Sequence, residues 1–349
     1  MAANDTISTD MDRTLPVEDD DIKVSVLMFV YNQVPYLAQA IDSVLAQKTN
    51  FRYEIIIHDD ASTDGSAEMI RSYADRYPGI IVPILQSENQ MSRGISFVDE
   101  YIMPKVRGTY IAHCEGDDFW TSAYKLAYQA AFLDAHPEYA GISHNCVVVD
   151  ANGKPGRYVN KFHPYRRPYR YTLKDLILED RMPGQTAAVM YRRACQTDMD
   201  SEAKQAYRNI RYAVGDRRRT LLILLNGPIY CVPRAMSAYR YVPHGGGSWN
   251  ARMRGKNLAG RYYVQERDFR AFALKYFHTK LRNDYVLFGT GIMAHLRCLL
   301  DPNEENREQL ALVSSVHRNA AERTGILLSY MPYAVFTAIR RPIQKIRWS

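Results

Sequence analysis

From residue 22 onward the chain alternates two kinds of hydrophobic pattern. Lys23–Val30 (KVSVLMFV) is a near-continuous apolar run, as expected of a strand covered on both faces. Leu37, Ile41, Val44 and Leu45 then fall at helical spacing, with Pro35 near the start, where its missing N–H costs little. Tyr53–His58 (YEIIIH) predicts a second strand. After the turn cluster Asp59–Ser66, a helix carries Met69, Ile70 and Tyr73, and Ile80–Leu85 predicts a third strand. A helix over about 93–106, a strand at Tyr110–Cys114, a helix over Lys125–His136 and a strand near Ile142–Val149 follow. This alternation predicts an α/β fold, a mainly parallel sheet flanked by helices.

Beyond residue 150 the pattern loosens. Residues 151–172 are rich in Arg, Tyr and Pro and read as a loop, while Thr186–Tyr191 and Ser237–Val242 read as further strands. From about residue 255 the spacing of Leu258, Tyr262, Phe269, Phe272 and Leu274 is helical. Three regions are therefore expected: an acidic disordered tail over 1–21, an α/β domain over 22–250, and a helical C-terminal region over 251–349.

Charge sharpens this division. The formal net charge is +7, yet residues 1–22 hold seven acids against Arg13 alone, so the remainder stands at +13. Such an excess suits a phosphate-bearing ligand or an anionic membrane surface. No nucleic-acid-binding motif accompanies it, so nucleic acid is not the expected partner. Five cysteines, an odd number with no CxxC spacing, predict reduced thiols in a cytoplasmic compartment. No signal-peptide order opens the chain, and no run reaches the ~18–20 apolar residues that a spanning helix needs.

Candidate chemistry collects at the carboxyl ends of the predicted strands, where open α/β sheets bind ligands. Tyr31-Asn32 follows the first strand, Asp59-Asp60 the second, and Glu115-Gly116-Asp117-Asp118 the fourth; Asp216 opens the apolar helical run Leu221, Leu222, Leu224, Leu225. Any one of these alone reads as a turn or a helix cap. Acids at successive strand ends, however, crowd negative charge into one cleft, which a cation must relieve. Oxygen ligands favour a hard ion, Mg2+ or Mn2+. His244 lies in the glycine run His244–Trp249, where three glycines would let backbone approach a ligand, although taken alone the run reads as a surface loop with an incidental His; Tyr239 and Arg240 are similarly ambiguous.

Taken in order, Val24–Asn32, Asp59–Ser66 (DDASTDGS) and Glu115–Trp120 (EGDDFW) resemble the family 2 glycosyltransferases of the GT-A fold. The resemblance is strong over 23–150, still readable to about 250, and absent from the last hundred residues. It implies that 22–250 form a GT-A domain binding a nucleoside-diphosphate sugar and a divalent cation. Phe29, Tyr31 and Asn32 would line the base pocket, Asp60 would accept a hydrogen bond from the base, and Arg93 would lie near the pyrophosphate. Glu115 and Asp117 would form the metal motif, with Asp117 the direct ligand and His244 completing the site. Asp118, Trp120 and Thr186 would lie toward the donor sugar and acceptor, and Asp216 would be the catalytic base. Two residues depart from the family pattern: Glu115 stands where Asp is usual, and Gly215-Asp216 where many members have Glu-Asp.

The implied reaction is an inverting transfer to a hydroxyl of a glycan or lipid-linked acceptor in cell-surface polysaccharide assembly. Two other readings are a sugar-phosphate nucleotidyltransferase, disfavoured because Tyr31–Pro35 lacks glycine where a phosphate loop would stand, and a non-catalytic scaffold on a decayed transferase fold. The C-terminal Leu327–Trp348 sets aromatics and aliphatics beside Arg340, Arg341, Lys345 and Arg347. Two expectations fit its pattern, a segment lying in the membrane interface or one packing on the catalytic domain or a second copy; the lipid-linked acceptor implied by the resemblance tips the expectation toward the inner face of the plasma membrane.

Overall fold

The computed structural model describes residues 21–93, 96–156, 162, 164–178, 181–212, 215–242 and 256–316. It divides into two compact units: residues up to 171 with 183–198 and 226–242, and a second made of 172–182, 199–225 and the chain from 243. The acidic tail, His244 and Leu327–Trp348 lie outside the described residues, apart from Asp21 at the start of the first unit.

The first unit is built on one sheet, in the order β3-β2-β1-β4-β8-β6-β9-β5, with β7 on β9. Its leading half is parallel throughout: β3 (Ile81–Leu85), β2 (Arg52–Asp59), β1 (Ile22–Val30) and β4 (Tyr110–His113). The continuous apolar runs are explained by cover on both faces. Val24, Val26, Met28 and Val30 enter one core with Ile55 and Ile57, sealed by Leu37, Ile41 and Val44 of α1 (Val34–Leu45), by Ile70 of α2 (Ser66–Arg76) and by Leu126 and Leu133 of α3 (Lys125–Ala135). The trailing half is mixed. β8 (Met190–Arg192) runs antiparallel to both β4 and β6 (Gly141–Val149), β6 is parallel to β9 (Ile229–Arg240), and β5 (Phe119–Trp120) and β7 (Tyr169–Tyr171) are antiparallel to β9.

Three local expectations change here. The helix expected over 93–106 is a π-type turn, Val98–Ile102, followed by a 3-10 turn, Met103–Lys105; Pro104, lacking an N–H, cannot continue an α-helical ladder. The strand expected at Thr186–Tyr191 begins as a 3-10 turn, Thr186–Ala188, before β8. β9 starts at Ile229 rather than Ser237, and Pro233 is accommodated where the β6–β9 register shifts, opposite His144 and Asn145; a bulge tolerates the missing donor.

α1 is capped from a distance. Gln33 supplies no side-chain cap; instead Asp64 Oδ2 accepts the Val34 N–H at 2.9 Å, while Asp64 Oδ1 accepts from Ser66 N at 3.0 Å and Ser66 Oγ at 2.6 Å. Burial alone would raise the Asp64 carboxyl, but these hydrogen bonds outweigh it and hold it below its ordinary 3.8. Asp64→Ala is expected to cost about 1–2 kcal/mol, as losing a helix cap does. Because the folded pKa is depressed, this contribution is present above the ordinary carboxylate range and disappears as pH falls through the folded value. Urea midpoints of both proteins should therefore differ at pH 7, and the difference should shrink as pH is lowered step by step below 3.8.

The second unit is helical: α4 (Leu173–Leu178), α6 (Ser201–Arg208), α7 (Gly215–Asn226, all but its last residue), α8 (Ala259–Phe277), α9 (Asp284–Leu300) and α10 (Glu304–Ser315); α5 (Ala194–Thr197) belongs to the first unit. Tyr263, Ala294 and Val313 join α8, α9 and α10. At Gly260 a Cβ would stand 2.0 Å from the Gln309 carbonyl oxygen, so only glycine lets α8 and α10 approach this closely. No described helix is long and apolar enough to cross a membrane, and none of the five cysteines is in a disulfide.

Candidate functional site

Two turns flank the carboxyl end of β1 and hydrogen-bond to it from either side. Asp60 N donates to Val30 O at 3.0 Å, and Gly116 N to Phe29 O at 3.2 Å. A Cβ at Gly116 would meet the end of the Gln33 side chain and lie 3.0 Å from Val30 Cγ2, so glycine seats the acidic loop on β1 without displacing either side chain. This brings Tyr31, Asn32, Asp60, Glu115, Asp117 and Asp118 to one end of the sheet.

Each of these residues has a definite local setting. Tyr31 is exposed. Asn32 sits at φ 53°, a left-handed conformation that asparagine tolerates; its N–H donates to Ser62 Oγ at 2.9 Å and its Oδ1 accepts from Thr63 N at 2.8 Å. Asp60 is buried and accepts the N–H groups of Gln90 (2.7 Å) and Met91 (3.1 Å), fixing the 89–92 turn while leaving lone pairs for a further donor. Phe29 projects to the sheet face opposite the main core, edge-on to Phe97 (5.3 Å) and His113 (5.7 Å), and Phe97 stacks on His58 at 4.5 Å. Burial holds His58 below its ordinary 6.5, against the pull of Asp60 and Asp59. Arg93 is ion-paired with Glu88.

The acidic loop carries the strongest electrostatic signature. Burial pushes the Asp117 carboxyl above its ordinary range, opposed by Arg240 and Gln33. Asp118 is driven well above it by burial and by the charges of Asp117 and Glu115, although Arg240 N donates to its Oδ1 at 2.8 Å. A carboxyl raised by burial and by its acidic neighbours, as Asp118 is, lacks positive charge, and a divalent cation supplies it. The donor chemistry thus fits a hard cation. Among the described residues no group of three such side chains surrounds one point, and His244, the further ligand expected from the resemblance, lies outside them.

Arg240 holds this loop in place. Only 5% exposed, it donates from Nε to Asp117 O (2.9 Å), from Nη1 to Asp150 O (3.2 Å) and Ala151 O (2.7 Å), and from Nη2 to Gln39 Oε1 (2.6 Å). Its guanidinium also lies 4.5 Å from the Tyr36 ring centroid. Sequence reasoning left Arg240 undecided, and nothing linear marks it, since Gln39 is 201 residues away. Trp120 is buried, with its indole Nε1 donating to Ala187 O at 3.1 Å, and Thr186 is half-buried at the head of that same turn.

Asp216 belongs to the second unit. It stands in the first turn of α7, where the helix dipole favours an acid. Its side chain is 45% exposed, and Arg219 Nη2 donates to its Oδ1 at 2.8 Å. The neighbouring Arg217 turns inward to Glu266 at 2.9 Å, and Asn283 Nδ2 donates to Glu266 Oε2 at 3.0 Å. The inward ion pair anchors the start of α7 while leaving Asp216 at the surface of its unit.

Comparison with known proteins bears on this arrangement. The sequence model of the glycosyl transferase family 2 matches residues 25–198, which span β1 to the end of α5. An uncharacterized protein of Mycobacterium tuberculosis is 33% identical over 297 residues, 84% of this chain and 72% of that protein. The minor teichoic acid biosynthesis protein GgaB of Bacillus subtilis is 33% identical over 145 residues, 41% of this chain and 15% of GgaB. In fold, the chain is similar to the crystal structure of S. aureus TarS in complex with UDP-GlcNAc: the TM-score is 0.60 at 18% identity, covering 83% of this chain and 78% of the other.

Proposed function

The chain belongs to the family 2 glycosyltransferases, and from that premise we propose that it moves a sugar, with inversion, from a nucleoside-diphosphate donor to a hydroxyl of a cell-surface glycan or its lipid-linked precursor, using Mn2+ or Mg2+. The observation that carries this reading is the crowding of Glu115, Asp117 and Asp118 in a buried loop at the carboxyl end of β1, where the carboxyls of Asp117 and Asp118 are raised above their ordinary range. The relationship to GgaB, whose name places it in teichoic acid biosynthesis, supports a surface-polymer acceptor.

In the proposed reaction Asp60 receives a hydrogen bond from the nucleotide base, with Phe29, Tyr31 and Asn32 around it and Arg93 toward the pyrophosphate. Asp117, with His244 and supported by Glu115, would hold the cation. The bound cation offsets negative charge developing on the leaving diphosphate. Asp118, Trp120 and Thr186 shape the sugar side. Asp216 takes the proton from the acceptor hydroxyl as its oxygen attacks the anomeric carbon. A single displacement inverts that carbon, and no sugar becomes attached to the protein.

The test is a thermal-unfolding screen of UDP-, GDP-, dTDP- and CDP-sugars with Mn2+, with Mg2+ and with a chelator. A ligand that binds only the native state stabilises it by mass action, by about 2.7 kcal/mol at 100 times its Kd, and so raises the midpoint. At least one donor is expected to stabilise the protein with metal and to lose that effect in chelator. Stabilisation equal in both conditions would overturn the metal assignment, and no stabilisation by any donor would overturn the donor site.

A further inference from the structure

Lys125, the first residue of α3, is fully buried. An ammonium taken out of water persists only where other groups replace its hydration. Among the described residues its Nζ has one hydrogen-bond partner, Gln129 Oε1 at 2.7 Å, and it lies 4.1 Å from the centroid of the Trp120 ring. Gln129 sits one helical turn along, and its Nε2 donates to Ala188 O at 2.9 Å and to Ile142 O at 3.4 Å. Trp120 in turn donates its indole N–H to Ala187 O at 3.1 Å and its backbone N–H to Ser43 Oγ at 3.0 Å. One buried amine thus stands where the acidic loop, α3 and the Thr186–Ala188 turn meet.

A purely structural role would be better met by an apolar pair at positions 125 and 129, which has no hydration to lose; replacing both members of a buried polar contact by apolar groups is often neutral or stabilising. What an amine adds is direction: a positive charge held against one face of an indole, with its hydrogen bond spent on a second anchor. We propose that Lys125 is a positioning residue of the transfer site, orienting Trp120 and, through Gln129, holding the Glu115–Trp120 loop and the Thr186–Ala188 turn at one fixed spacing. This rests on the transferase reading of those residues.

The surroundings of the amine make it sensitive to pH. Burial pushes Lys125 down to about 7, with Cys114 pulling it back up. The titratable groups that face it are Cys114, which burial and Asp118 raise, and His144 of β6, which burial and Lys125 itself press down to about 3. Neither of these changes charge near neutral pH, but Asp117 and Asp118, just before Trp120, are also raised by burial, so it is loss of the transition in Lys125→Met that gives it to the amine.

The experiment uses Trp120 as its own reporter. The chain has three tryptophans, and Trp249→Phe with Trp348→Phe leaves only Trp120. In that background Trp120 emission is expected to titrate near neutral pH, and Lys125→Met is expected to abolish the transition, with a urea midpoint lowered only by the loss of the hydrogen bond to Gln129 Oε1. In otherwise native protein, Lys125→Met should lower kcat by about 10- to 100-fold, the scale of a misplacement near 1 Å, with little change in donor KM. Gln129→Glu sets a carboxylate on the amine and should move the fluorescence transition to higher pH, which tests the contact even where Lys125→Met folds poorly. An emission transition that persists unchanged in Lys125→Met, or that Gln129→Glu does not move, overturns the proposal, as does native kcat in Lys125→Met. The emission titration needs no substrate, so it holds or fails independently of whether any nucleotide sugar is turned over.

Discussion

Asp216→Asn is expected to reduce sugar transfer by about 10²–10⁴-fold, the usual contribution of a general base. That loss corresponds to about 3–5 kcal/mol of transition-state stabilisation. Asparagine keeps the shape of the side chain and an oxygen for Arg219, so the start of α7 should survive. The ion pair it weakens is half-exposed at Asp216, where such pairs are worth about 0–1 kcal/mol. Inward anchoring of the helix rests on Arg217 and Glu266, which the substitution leaves alone. The expected pattern is therefore an unchanged unfolding midpoint, metal-dependent donor binding close to native, and a collapse of single-turnover transfer. Transfer at a near-native rate would move the role of base to another carboxylate, with Asp118 the first to test.

Arg240→Met is the second large effect, and it falls on stability and donor binding together. Methionine retains the apolar bulk against Tyr36 but withdraws the donors that Asp117 O, Asp150 O, Ala151 O and Gln39 Oε1 now accept from. Removing a buried cation from its partners typically costs about 3–5 kcal/mol. The positive charge also opposes the upward shifts of Asp117 and Asp118. Without it both carboxyls hold their protons to higher pH. A cation binds the deprotonated form, so the pH below which metal-dependent donor binding is lost should rise in the variant. Arg240→Lys keeps charge but not the planar fork, and should recover the pH dependence better than the stability. A variant with a native urea midpoint and a native pH profile of donor binding would show that Arg240 holds nothing in place.

The leading half of the fold was legible in the chain because its signals are local. Strands covered on both faces must be apolar at nearly every position, so β1, β2 and β4 stand out, and helical spacing marks α1, α2 and α3. The acidic residues were legible for a related reason: Asp60 and Glu115–Asp118 follow strands directly, and the carboxyl ends of a parallel sheet form one rim. Their order and spacing carried the family resemblance, which the family match over residues 25–198 bears out.

Other features were decided only by the tertiary structure. β9 contains Pro233, which reads against a strand, and only pairing with β6 across a register shift makes room for it. Asp64 reads as a turn residue after β2, yet its carboxylate caps α1, thirty residues upstream. Arg240 looked ambiguous because its partners come from three distant segments, and Lys125 entered only as the start of an expected helix. Composition and periodicity report how often a residue meets the core. They carry no information on which distant carbonyl or ring completes the hydration that a buried Arg or Lys has lost. That is a property of chain segments brought together in space, and it is what fixes the acidic loop in this protein.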